Sequence, residues 1–251
     1  MFTTLESLIC SINFILKMRT GLSIYSRGGM IFWIAIIMFS LSAIESSAQQ
    51  KNANNQNPSA VTPLPAGTGN MLTTQERDSA TQFLKQTQLE VFAAVKNLSK
   101  AQLTFKPAAD KWSVEDCVKH IAASETTLWA MVEMSMKQPV DPQKQTETKL
   151  SDEGLISAVK DRSHKSKTFA ALEPANTSYK TLAEALTSFK ENREKLIAYV
   201  RDTEEDLRSH VSVLPFGTCD AYQLILLISA HSDRHMQQIE EVKSNANFPK
   251  S

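Results

Sequence analysis

Residues 218–242 read TCDAYQLILLISAHSDRHMQQIEEV. Thr218 stands where a helix N-cap would, and Leu224, Leu227 and Ile228 continue at helical spacing into His231, His235 and Val242. The stripe turns from aliphatic to imidazole along its length, so this one segment bears on both fold and chemistry. Working back from it, a third helix is expected from about Ser178 to Asp202 on Leu182, Leu186, Phe189, Leu196, Ile197 and Val200. A second opens at Ser113-Val114-Glu115-Asp116, carries Val114, Cys117, Val118, Ile121, Leu128, Val132 and Met136 on one face, and ends before Pro139 and Pro142. The first opens at Thr73-Thr74-Gln75-Glu76, which has the capping-box spacing, and runs on Ala80, Leu84, Val91, Val95 and Leu98 until Pro107 breaks the chain. Ser151-Asp152-Glu153 starts a shorter connecting helix through about Thr168, closed by Pro174. No run of alternating β-branched residues competes with this periodicity. The expectation is an all-α fold: a single four-helix bundle over residues 71–251, with a short extra connecting helix.

Composition narrows the function. Among 251 residues, Lys plus Arg number 27 and Asp plus Glu 27, so no excess charge exists to hold a polyanion, and nucleic-acid binding is disfavoured. Three cysteines without a CxxC pair exclude a disulfide framework, a zinc ribbon and a thioredoxin-type redox site. The seven glycines form neither GxGxxG nor GxxxxGK[ST], which leaves no phosphate-cradling loop.

The apolar run from Met30 to Phe39 continues through Leu41 and Ile44, follows Lys17, Arg19 and Arg27, and precedes the small residues Ser46-Ser47-Ala48. It is shorter than a full membrane span and has the form of a signal peptide over 1–48, cleaved near Ala48. Residues 49–70, rich in Asn, Gln, Pro, Gly and Ala, read as a flexible linker. A secreted or periplasmic protein follows, with no stable membrane span after cleavage; an uncleaved anchor is the competing reading. If His120 and His231 meet at one level of the bundle, Cys117 and Cys219 differ by about 13 Å along it, beyond the reach of a disulfide, and are expected to stay unpaired.

The chemistry gathers on the fourth helix. His231 and His235, four apart, lie one above the other on one face, within reach of a single ion. Two such histidines are also explained by ordinary hydrogen bonding, and a third ligand is needed to decide. His164 falls in a solvated charged run, and His210 precedes the fourth helix in a loop. His120 lies on the flank of the second helix's stripe, beside Cys117, Ser124 and Met131 on the helical wheel, where a side chain meets a helix–helix seam.

The strings Leu98-Ser99-Lys100-Ala101-Gln102-Leu103-Thr104-Phe105-Lys106-Pro107 and Lys111-Trp112-Ser113-Val114-Glu115-Asp116-Cys117-Val118-Lys119-His120 resemble the first signature of the DinB/YfiT-like superfamily. His231-Ser232-Asp233-Arg234-His235-Met236-Gln237-Gln238-Ile239 resembles its second, and the likeness spans roughly residues 71–245. The resemblance implies a four-helix bundle in up-down-down-up order, with a divalent metal held by His120, His231 and His235. It also implies either a metal-dependent hydrolase or an enzyme that transfers groups with low-molecular-weight thiols. Three neutral imidazoles leave a coordination position open, as catalytic rather than closed sites do. Zinc or nickel suits these ligands first, and iron or manganese also fits.

Arg193 falls inside the third helix's apolar stripe and needs a partner if buried. It is expected either as an internal salt bridge to Asp220 or Glu125, or as a substrate-binding residue that anchors an anionic group beside the metal. Trp112 reads as a hydrophobic staple, and Glu125 and Glu240 as candidate carboxylates near the site. The expected function is an exported hydrolase acting on a small-molecule substrate. Thiol transfer is less suited to an oxidising compartment. A noncatalytic metal- or ligand-binding module is the alternative, and a homodimer is compatible with either.

Overall fold

The computed structural model describes residues 71–163 and 167–250. The expected signal segment, the linker, Cys10 and His164 lie outside the described residues. Four long helices form the frame: α1 (Thr74–Val95), α3 (Val114–Met136), α6 (Leu182–Asp202) and α7 (Ala221–Lys243). Between them come α2 (Lys100–Thr104), α4 (Pro142–Gln145), α5 (Asp152–Lys160), two 3-10 turns (Ala170–Leu172 and Pro174–Asn176) and the strands β1 (Val211–Leu214) and β2 (Gly217–Asp220). Among the described residues no helix is long and apolar enough to cross a membrane.

Capping chemistry sets where these helices begin. Thr73 Oγ1 accepts from Glu76 N while Glu76 accepts from Thr73 N, and Ser113 and Asp116 do the same for α3. Each reciprocal pair satisfies two N–H groups that the first helical turn leaves without partners. At α7 the box is Asp220 with Gln223, not Thr218, which lies in β2 and donates to Glu147. Residues 211–220 pair as an antiparallel hairpin turning at Pro215-Phe216, with Gly217 at φ 136°. The short strands corrected the reading of this segment as loop, because four-residue strands around a proline turn carry too little alternation to show. The connecting helix ends at Lys160 rather than near Thr168, and α6 begins at Leu182 behind the Thr181 cap.

Hydrogen bonds between helix ends fix the directions. Arg77 near the start of α1 donates to Val200 O near the end of α6, so these two run antiparallel. Tyr222 Oη at the start of α7 donates to Glu76 O at the start of α1, which makes that pair parallel. Lys119 on α3 donates to Lys180 O just before α6, and His210 just before β1 meets Ser135 O at the end of α3. The four helices therefore run up, down, down, up. α1 and α3 each pack against both α6 and α7.

The interior is apolar at both ends and polar in the middle. One cluster contains Leu84, Leu128, Leu196 and Ile228; the other contains Val91, Ile121, Phe189 and Ile239. Fully burying each such side chain contributes about 1.5–3 kcal/mol. Between the clusters every main helix supplies a buried polar residue: Thr87, Glu125, Arg193 and Ser232. This layer is the floor beneath the histidines.

Candidate metal centre

His120 sits in the second turn of α3, and His231 and His235 stack one turn apart on α7, so α3 running antiparallel to α7 brings three rings together. His120 Nε2 lies 3.3 Å from His231 Nε2, which lies 3.2 Å from His235 Nε2. Each outer ring is held from behind. His120 Nδ1 donates to Leu172 O at 2.8 Å, from the 3-10 turn that crosses this face, and His235 Nδ1 donates to Gln238 Oε1 at 2.9 Å. A proton on Nδ1 leaves Nε2 of a neutral imidazole as a bare lone pair, so both outer rings aim acceptors at His231.

A single N–H on His231 Nε2 can serve only one of those two ring acceptors, and the Ser124 hydroxyl, 3.3 Å from His120 Nε2, is the other donor in reach. A cation placed between the rings would accept all three imidazole lone pairs at once. Ligands at the 2.0–2.1 Å usual for zinc and imidazole, in tetrahedral arrangement, lie about 3.3–3.4 Å apart. The separations of 3.3 and 3.2 Å are close to that spacing, and all three donor atoms lie within 4.8 Å of one another, so the donor set fits a divalent ion.

Electrostatics keeps the rings ready. Burial pushes His120 down to about 4 despite its bond to Leu172 O. Burial, and then the neighbouring imidazoles, hold His231 and His235 well below the ordinary histidine value. All three are neutral at pH 7, the form that ligates metal. Among the described residues these three are the one group of His, Cys, Asp or Glu side chains whose donor atoms converge in this way.

Trp112 covers the cluster. Its ring stacks on His235, with centroids 5.8 Å apart and planes at 22°, and lies tilted on His120 at 4.8 Å. The residue read as a helix staple does pack against the apolar cluster of Cys117 and Ile121, and it also roofs two imidazoles. Ser124 Oγ stands 3.3 Å from His120 Nε2, one turn along α3. The rings open onto a cavity of about 820 Å³ lined by Trp112, Leu128, Met131, Phe169, Phe216 and other residues of α3, α5, α7 and the 3-10 segment.

The residues read as neighbours of the metal divide sharply. Arg193 is fully buried and directs every N–H of its guanidinium into the protein. Nε and Nη2 donate to the two oxygens of Glu125, Nη1 to Leu84 O and Thr87 Oγ1, and Nη2 also to Ser232 Oγ. No donor is left for a substrate anion, which corrects the substrate-anchor reading in favour of the salt bridge to Glu125. Glu125 is thereby engaged as well: burial pushes its carboxyl up against the pull of the guanidinium, and the two-bonded fork is the geometry of the ionised pair. Glu240 is exposed and pairs with Lys243. Asp220, the other proposed partner, caps α7 and accepts from Arg208.

His210 bonds the far end of α3 and does not join the centre. Cys117 and Cys219 are buried and free, and burial raises both thiols, Cys219 to about 12, so neither offers a thiolate to a metal or a substrate.

The sequence comparison agrees with this architecture. Residues 84–239 match the pattern of the DinB superfamily, well over half of the chain. The chain belongs to the DinB superfamily. Within reach of this DinB chain is YuaE of Bacillus subtilis (strain 168), 28% identical over 162 residues that cover 64% of this chain and 95% of YuaE. Among solved structures it is similar to YfiT from Bacillus subtilis, described as a probable metal-dependent hydrolase with an unusual four-helix bundle topology. That likeness has 16% identity and a TM-score of 0.49, covering 75% of this chain and 95% of YfiT.

Gln238, Leu172 and Ser124 were not singled out as contributors from the sequence. Gln238 had a signal, since it follows His235 by three residues on the same helical face. Leu172 had none: it acts through a backbone carbonyl fifty-two residues from His120.

Proposed function

We propose that this DinB protein is an exported metal-dependent hydrolase whose divalent ion is held by His120, His231 and His235. What carries the reading is one observation: three neutral imidazoles converge on a point that faces an open cavity, with two of them locked from behind at Nδ1. A closed structural site would have a fourth protein ligand and no cavity. Bound there, the ion supplies a Lewis acid able to polarise a carbonyl or activate water. Zinc and nickel suit three nitrogen donors best, with iron and manganese as further candidates.

The chain's own groups do the rest. Leu172 O and Gln238 Oε1 fix the tautomers of His120 and His235, so that both present Nε2. Trp112 covers the imidazole faces and keeps bulk water from that side. Ser124 places a buried hydroxyl beside the ligating face. Export rests on the apolar run ending at Ser46-Ser47-Ala48.

The test is hydrolysis of an activated ester by the purified protein before and after chelation. Loss on chelation, recovery with one equivalent of metal, and no recovery in His231→Ala are the expected results. A rate that ignores both chelator and the substitution contradicts the hydrolase reading, and a rate that appears only with an added small thiol assigns thiol transfer instead. An intact amino-terminal segment on protein recovered from the cytosol contradicts export.

A further inference from the structure

The cavity in front of the histidines has features that bear on what enters it. Its inner wall is aromatic and aliphatic, with Trp112, Leu128, Met131, Phe169, Phe216 and Leu227 facing the space. At about 820 Å³ it falls in the range that encloses most of a drug-sized ligand. Charged residues also line it, but several are already matched: Arg162 is forked onto Glu241, Lys111 pairs with Asp110, and Arg234 donates to Val159 O and Asp161 O. Glu147 accepts from Thr218. With Lys149, Lys167 and Glu173 included, five basic side chains face four acidic ones around the lining, so the cavity has no strong excess of either sign with which to select a second ionic group.

The other end is different. Three neutral imidazoles leave the full charge of a divalent ion uncompensated, which favours an anionic or strongly polar head at the open position. Ser124 adds a hydrogen bond to that head. Its Oγ is buried and bonds His120 Nε2. A metal would take that lone pair and leave the hydroxyl to find a new acceptor on the cavity side. A head with two oxygens, one on the ion and one accepting from Ser124, satisfies both demands.

Resting on the metal-site reading above, we infer that the site takes acyl compounds: a carboxyl-type head at the metal and Ser124, and an uncharged apolar body along the Trp112, Met131 and Phe169 wall. An ester or amide of a medium-length aliphatic or aryl acid has this form, whereas a highly charged or sugar-like substrate would leave the apolar wall in contact with polar groups.

The experiment titrates zinc-loaded protein calorimetrically with acetohydroxamate, butanohydroxamate, hexanohydroxamate and octanohydroxamate, which share a two-oxygen head and differ in tail. Affinity should rise about threefold to fourfold per added methylene, the increment for burying such a group. In Met131→Gln and Phe169→Ser, whose side chains are only partly buried, the increment should shrink while acetohydroxamate affinity holds. In Ser124→Ala zinc stoichiometry should hold while acetohydroxamate weakens about tenfold.

Acetohydroxamate that binds in a zinc-dependent way, with affinity flat along the series, overturns the acyl inference and leaves the metal site standing. Binding of none of the four by protein that holds zinc also overturns it, and removes the open position. Failure to take up zinc overturns both readings at once.

Discussion

The Arg193 cluster and the His231 cluster adjoin on α3 and α7, where Ser124 precedes Glu125 and His231 precedes Ser232, and they differ in how their polar groups are matched. Around Arg193 every guanidinium N–H meets an acceptor and both Glu125 oxygens meet donors. Around His231 two acceptor nitrogens face a third ring that can satisfy only one of them, and the Ser124 hydroxyl stands beside the other. The first cluster has no donor left over, whereas the second turns three imidazole nitrogens toward one another, the arrangement that suits a divalent cation. Burial alone does not separate them, since both are withdrawn from water. What separates them is the balance of donors against acceptors.

The contrast is broken most forcefully at Arg193. Arg193→Met leaves Glu125 buried without a counter-charge and should cost roughly 3–5 kcal/mol in denaturant unfolding, with much of the loss recovered when Glu125→Met is added. A loss below about 1 kcal/mol would show that the layer is not an ion pair holding the bundle. Zinc bound per folded molecule should be unchanged in the double variant.

Acid separates the clusters next. The three histidines have folded-state values below their unfolded ones. As pH falls below about 6.5 the unfolded chain takes up protons that the folded chain refuses. Metal-free protein should therefore lose stability steadily from about pH 6.5 down toward 4, where His120 titrates. His120→Gln should flatten part of that slope. A stability profile level across this window would mean that the rings are not held neutral.

A smaller effect is expected behind the ligands. Gln238→Leu removes the acceptor that fixes His235 and should weaken zinc about 10–100-fold without changing the stoichiometry. Unchanged affinity would place the tautomer under other control.

Much of this was legible in the chain. The periodic stripes, the capping box at Thr73 and the helix start at Ser113 marked the bundle, because local hydrogen bonding and apolar spacing act within one helix. His231 and His235 were visible for the same reason. His120 was visible as a wheel position and through its resemblance to the family signature. Arg193 was recognised as a charge in an apolar stripe, with both fates open; only the tertiary positions of Leu84, Thr87 and Ser232 show that no donor remains. The hairpin at Val211–Asp220 was hidden because its four-residue strands show too little alternation, and the 3-10 turn that delivers Leu172 O because it acts fifty-two residues from His120. Trp112 was placed correctly at the start of α3, but its contact with His235 needed α7 beside it.

Metal content tests the central claim most directly. Wild type, His120→Ala, His231→Ala and His235→Ala are saturated separately with zinc, nickel and manganese, freed of excess, and compared by elemental analysis alongside far-ultraviolet circular dichroism. The expected result is one tightly held ion per chain in the wild type and a sharp loss in each variant, with helix content largely kept because the apolar clusters lie on either side of the centre. Equal, near-zero metal in all four folded proteins would contradict it and leave the three histidines as part of a helical binding module.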